Sequence, residues 1–238
     1  MKAKDPGRPS KPGLVSNVLK SELRYMMERF LLRAGVKKLH DALPEHWSIP
    51  DSQFAKEAAI YAQTLCPDYL VNHCFRSYCF GAIIAARNGL RLDRELFFVA
   101  AMLHDLGLTN QHQNDPGSFE WVGAELAYKF SLKHCQTEQV ATAIHNSIAL
   151  HTSVGIVESK QPEIALLHYG TGTDLFGSRL REIPRGELKE ILSAYPREDF
   201  PEAFGTCLHH QADTKPETHI STAVEAGIAD RILANLSA

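Results

Sequence analysis

Apolar residues recur at helical spacing almost from end to end of this 238-residue chain, and the strict alternation of a half-buried strand is scarce. That pattern selects an all-α fold. Ser16 is placed to cap a first helix that carries Leu19, Leu23, Met26, Met27 and Phe30 toward a core and stops before Gly35. Pro50-Asp51-Ser52 opens a second, with Phe54, Ala58, Tyr61 and Leu65 on one side. A long helix starts at Cys66-Pro67-Asp68 and runs through His73 and Tyr78 toward Gly89, a glycine suited to a helix C-terminus. Asp93 opens the next, whose run Leu96, Phe97, Ala100, Ala101 and Leu103 leads into His104-Asp105. After a polar loop over 109–117, Ser118, Thr137 and Pro162 each begin a further helix, and two more segments follow Pro184 and Pro216. No linker divides the core and no repeat of fixed period appears. The expected organisation is a flexible tail over 1–13 and one helical domain over 14–238.

The His104-Asp105 pair carries chemistry because it has company. His73 lies upstream and Asp174 downstream, the latter among Gly170, Gly172 and Gly177. Neutral imidazoles and ionised carboxylates are the lone-pair donors a divalent metal needs. Neighbours on a helix project about 100° apart, so an adjacent pair shares a target only where the helix ends. Leu106-Gly107 supplies such an end. Singly, each residue reads as a cap, an ion-pair partner or a hydrogen-bonded core histidine; the ordered set reads as a metal site.

Those residues, His73…His104-Asp105…Asp174, resemble the metal signature of the HD-domain superfamily of metal-dependent hydrolases. Their surroundings resemble its cyanamide hydratase-like branch: Ile49-Pro50-Asp51-Ser52, Asn72-His73-x-x-Arg76-Ser77-Tyr78, Leu103 to Thr109, Phe119-Glu120-x-x-Gly123-Ala124, Ile148 to Ser153 and Gly170-x-Gly172-x-Asp174-x-x-Gly177. The likeness runs in order from about residue 48 to 180. It implies a helical HD-type domain and one bound divalent transition metal held by His73, His104, Asp105 and Asp174. Zinc is the first expectation, with iron or manganese as alternatives. It also implies hydration of cyanamide to urea.

Bound metal lowers the pKa of water from about 15.7 toward about 7, which provides a nucleophile for a nitrile-type carbon. The catalytic candidates around it are Glu120 and His151 as proton shuttles and Arg76 as an orienting group. Their alternatives are a helix N-terminal carboxylate, a helix C-terminal cation and a structural ion pair to Asp105 or Glu57. A second metal would involve His145 with His151. Cys74, Cys79 and Cys135 read as small core residues, and His209-His210 as surface.

Two other functions compete. A phosphohydrolase acting on nucleotides would want a basic residue after His-Asp, where Leu106-Gly107-Leu108 stands, and relatives with two metals often carry histidine near the place of Glu120. A non-catalytic binding or signalling module would have lost metal ligands, and all four are present. The formal net charge of −3 gives no global field for nucleic acid. Five cysteines without a Cys-x-x-Cys pair point away from a disulfide framework. With no signal-like or membrane-spanning run, the expectation is a cytoplasmic enzyme of a small-molecule substrate, with no nucleic-acid or membrane partner and homo-oligomerisation open.

Overall fold

The computed structural model describes residues 1–4, 9–153 and 162–236, and is all-α, with no strand among those residues. Twelve α-helices appear among them: α1 (Lys11–Arg33), α2 (Pro44–Trp47), α3 (Gln53–Leu65), α4 (Asp68–Arg87), α5 (Arg94–Leu103), α6 (Phe119–Lys133), α7 (Glu138–Ala149), α8 (Pro162–Phe176), α9 (Arg185–Ala194), α10 (Phe200–Thr214), α11 (His219–Glu225) and α12 (Ile228–Leu236). The expected starts hold where a side chain can cap. Ser52 Oγ accepts from Ala55 N, Asp93 Oδ1 from Leu96 N, Ser118 Oγ from Trp121 N and Thr137 Oγ1 from Val140 N. Each satisfies an amide that the first helical turn leaves open.

Helix α4 is the centre of the molecule. Every residue from Leu70 to Ala85 except Asn72 is buried, so it is enclosed by neighbours on all sides. It lies along α8 and also meets α5, α2 and α10. Helix α5 is buried from Leu96 to Leu103 and packs on α3, α4 and α7, while α6 pairs with α7. The seams at the future site are backbone against backbone. A Cβ on Gly170 of α8 would stand 2.1 Å from Ser77 O of α4, and one on Gly123 of α6 would stand 2.8 Å from His104 O. Only glycine permits helices to approach so closely.

Several expectations change. Helix α1 begins at Lys11, where Ser10 Oγ accepts from Gly13 N, so Ser16 lies inside it and is exposed. Its apolar stripe does not face the core: Leu19, Leu23, Met26, Met27 and Phe30 are 53–65% exposed. The helix is held instead through Glu28, whose Oε2 meets Arg179 Nη2 at 2.5 Å, and through Tyr25, whose ring faces the same guanidinium. At the chain start, Lys2 Nζ pairs with Glu125 Oε1 at 2.7 Å and Ala3 N donates to Asn146 Oδ1. Residues 5–8 of the expected tail lie outside the described residues. Cys135 is exposed, at φ 59°, where the chain turns out of α6. Helices α10 and α12 add to the segments anticipated after Pro184 and Pro216, and α10 to α12 pack on one another, with α10 against α4 and α12 against α8. No helix among the described residues is long and apolar enough to cross a membrane.

Candidate metal centre

Helix α5 ends at Leu103, His104 is its C-cap, and Asp105 leaves helical geometry at φ −103°, ψ 13° before a single 3₁₀ turn over Leu106–Leu108. That break lets two adjacent side chains reach one point. His73, from the middle of α4, supplies the third. One ligand atom each from His73, His104 and Asp105 lie within 4.8 Å of one another, and all three residues are buried. Asp105 Oδ2 stands 3.2 Å from His104 Nε2 and 3.7 Å from His73 Nε2.

The tautomers are fixed from behind. His104 Nδ1 donates to Ala101 O at 2.7 Å, because a carbonyl can only accept. His73 Nδ1 donates to the ionised Asp174 Oδ2 at 2.7 Å. Both Nε2 atoms therefore point toward Asp105. His73 Nε2, His104 Nε2 and Asp105 Oδ2 have no hydrogen-bond partner although all are buried. Three orphaned ligating atoms at one point would be costly unless something fills it. Two atoms each about 2.0–2.1 Å from a common ion stand roughly 3–3.5 Å apart, close to the 3.2 and 3.7 Å that separate Asp105 Oδ2 from the two imidazoles. Two imidazoles and a carboxylate suit a divalent transition metal with positions left open for water and substrate.

Electrostatics keep the Asp105 carboxylate ionised at the shared point. Burial disfavours charge on Asp105, yet His104, His73 and His151 outweigh it and hold the carboxyl at about 2. Burial lowers His73. At His104 burial is outweighed by the adjacent Asp105, so its pKa is raised. His151 is pushed down to about 3 by burial and then by His104. It is a neutral base at ordinary pH.

Asp174 does not join the three. Its carboxylate lies on the far side of His73, where Arg76 Nε donates to Oδ1 and Oδ2 at 2.9 and 3.0 Å and Arg197 Nη2 donates to Oδ1 at 2.9 Å. Its oxygens are occupied, so in this geometry it orients His73 rather than facing the shared point. Arg76, buried completely, serves Asp174 and also donates to Pro196 O at 2.9 Å. Its ion-pair partner is thus Asp174 rather than Asp105 or Glu57, and it does not line the cavity described below.

The trio forms one end of a cavity of about 290 Å³, to which His151 and Thr152 also contribute. His151 Nδ1 donates to Ile148 O, and its Nε2 stands 4.0 Å from Asp105 Oδ1. Glu120 sits one step behind the wall, its Oε1 accepting from Thr152 Oγ1 at 2.6 Å. His145 is elsewhere, with Nε2 on Glu125 Oε1 at 3.1 Å, so the structure does not assemble a second site from His145 and His151. Sequence reasoning missed three contributors. Arg197 closes Asp174 from the α9–α10 connection, His168 Nδ1 donates to His151 O at 2.8 Å, and Phe200 stacks on the His73 ring at 4.8 Å. None has a spacing that ties it to the His-Asp pair.

No match was found among curated proteins. The family model for the HD domain matches residues 70–188, a span that holds His73, His104, Asp105 and Asp174 and covers half of the chain. With the helical fold and the buried His-His-Asp cluster inside the matched span, the chain belongs to the HD-domain family, whose members are mostly metal-dependent hydrolases.

Proposed function

We propose that this protein adds water to an uncharged, nitrile-type carbon, in the manner of cyanamide hydration to urea. The observation that carries the reading is the convergence of three partnerless buried ligating atoms at the end of a largely uncharged cavity. A divalent metal held by His73, His104 and Asp105, zinc first, supplies Lewis acidity and a lowered pKa for water when bound.

The residues of the chain do the rest. Asp174, braced by Arg76 and Arg197, holds the proton on His73 Nδ1 and keeps Nε2 free. His151 lines the cavity with its Nε2 as the basic atom, placed to take a proton from water and return it to substrate nitrogen. Glu120 acts on this wall through Thr152, so it is a positioning residue. The wall chemistry disfavours a phosphate. Arg179 lines the cavity, but Glu182 and Glu28 already engage it, and no lysine is among the described residues that line the space. Beside the metal, a phosphate dianion there would find only Arg231, an exposed residue at the border, as a further cation not already engaged by a carboxylate.

The test is a zinc-loaded preparation supplied with cyanamide and, in parallel, with nucleoside phosphates. Urea release with negligible phosphate release is expected. Efficient phosphate release without urea would remove the hydratase reading and leave a metal-dependent phosphohydrolase.

A further inference from the structure

The cavity is much larger than cyanamide requires. A water molecule needs about 10–15 Å³ of such space, so a molecule of three heavy atoms fills only a small part of it. The cavity volume of about 290 Å³ approaches the lower bound of pockets that enclose ligands of ordinary metabolite size, roughly 300 Å³.

The surplus space has a definite character. Phe204 of α10 packs on the His73 ring at 5.5 Å, and the rest of the wall includes Leu208 of α10, Leu175 of α8, Ile220 and Ala223 of α11, and Ile232 of α12. Two polar residues on its α8 side each turn a hydrogen-bonding atom to the backbone. Thr171 Oγ1 donates to Leu167 O and His168 Nδ1 to His151 O. Arg179 is closed off by two carboxylates and by the Tyr169 ring at 4.1 Å. Tyr25 and the exposed Arg231 border the same space, which marks its outer end.

We propose that the natural substrate carries an apolar arm of about six to eight carbons. It is an alkyl- or aryl-substituted nitrile or cyanamide, of which cyanamide is only the reacting head. This inference rests on the hydratase reading for the head and on the cavity for the arm. The reaction balances without a co-reactant. The oxygen of water bonds to the nitrile carbon, the C≡N bond loses its π electrons to nitrogen, both water protons end on nitrogen, and the product is the amide or substituted urea. The arm lies against α10 to α12, outside the segment that carries the metal ligands.

The test is binding of n-alkyl amides, from propanamide to dodecanamide, to the zinc-loaded full chain by calorimetry. Turnover of the matching nitriles is measured beside it. Affinity is expected to rise about fourfold per methylene, the value of a buried CH₂, and to level off beyond about eight carbons. Ala223→Trp, with metal content unchanged as the sign of an intact fold, is expected to remove the gain beyond about three carbons by filling the wall. Affinity that does not change with chain length in the wild type overturns the proposal. The wild-type series alone decides this should the variant not fold. The two readings fail separately. A rising amide series with no nitrile turnover upholds the apolar ligand and removes the hydratase reading. Urea release from cyanamide with a flat series removes the arm and leaves the hydratase.

Discussion

Asp174→Asn separates two roles that the sequence cannot distinguish. The substitution keeps shape and removes one charge from a carboxylate that faces Arg76 Nε at 2.9 and 3.0 Å, Arg197 Nη2 at 2.9 Å and His73 Nδ1 at 2.7 Å. Asparagine offers one acceptor oxygen where the carboxylate offers two, so its NH₂ must point at a guanidinium or at the His73 N–H. Arg76, wholly buried, is left without a counter-charge. Breaking such a pair from one side costs about 3–5 kcal/mol. That is a large part of the 5–15 kcal/mol that typically holds a domain together. Metal affinity should fall about 10- to 100-fold, the usual effect of losing a group that orients a ligand. Equilibrium urea unfolding of the metal-free chain reads the first quantity, and competition against a chromophoric chelator reads the second. Asp105→Asn, which removes a converging oxygen, is the reference and should abolish stoichiometric binding. If Asp174→Asn loses metal as completely as Asp105→Asn does, Asp174 is itself a ligand and the positioning role is refuted. If stability falls by less than about 1 kcal/mol, the reasoning about the buried charge fails.

Other outcomes follow from the same geometry. Asp105→Ala removes metal and activity together, checked by elemental analysis beside urea release. His151→Ala keeps the metal and slows turnover about 10²- to 10⁴-fold, whereas Glu120→Gln costs less and Thr152→Val reproduces it; equal losses for His151→Ala and Glu120→Gln would place Glu120 at the substrate. The Arg76 guanidinium and the His73 N–H overcome the cost of burial and hold the Asp174 carboxyl below its ordinary 3.8. The stability it contributes is therefore present above that value and lost as pH falls through and below it, so urea midpoints of the metal-free chain between pH 6 and 3 should drop more steeply than those of Asp174→Asn. Gly170→Ala, with its Cβ 2.1 Å from Ser77 O, should lower Tm by several degrees, while Gly205→Ala, inside α10 with nothing within 4 Å, should raise it by roughly 2–4 °C.

Most of the helical frame was legible because the chain punctuates itself with capping residues. Ser52, Asp93, Ser118 and Thr137 each sit one residue before the helix they begin. The ordered pair His104-Asp105 with His73 was legible for a local reason, a helix ending on its own ligands. What escaped was set by tertiary contact. Apolar periodicity in α1 says that a face exists, not which neighbour covers it, and here the helix docks through Tyr25 and Glu28 instead. The part played by Asp174 depends on Arg76 and Arg197 reaching it from α4 and from the α9–α10 connection, distances that no spacing encodes. Helices α10 to α12 carry no motif, because a cavity wall requires only apolar bulk in the right place.

The two glycine seams have a consequence for how this protein can vary. Where side chains set the spacing of helices, a lost methyl in one place can be compensated by a gained methyl in another. At Gly170 and Gly123 the touching surfaces are peptide groups, one against Ser77 O and one against His104 O, and a peptide group has no larger or smaller version. The interior can therefore change in composition while the spacing of α4 from α8, and of α6 from the end of α5, stays as it is. Over long times these two seams behave like gauge blocks, with their dimensions cut in main chain and only their surroundings negotiable.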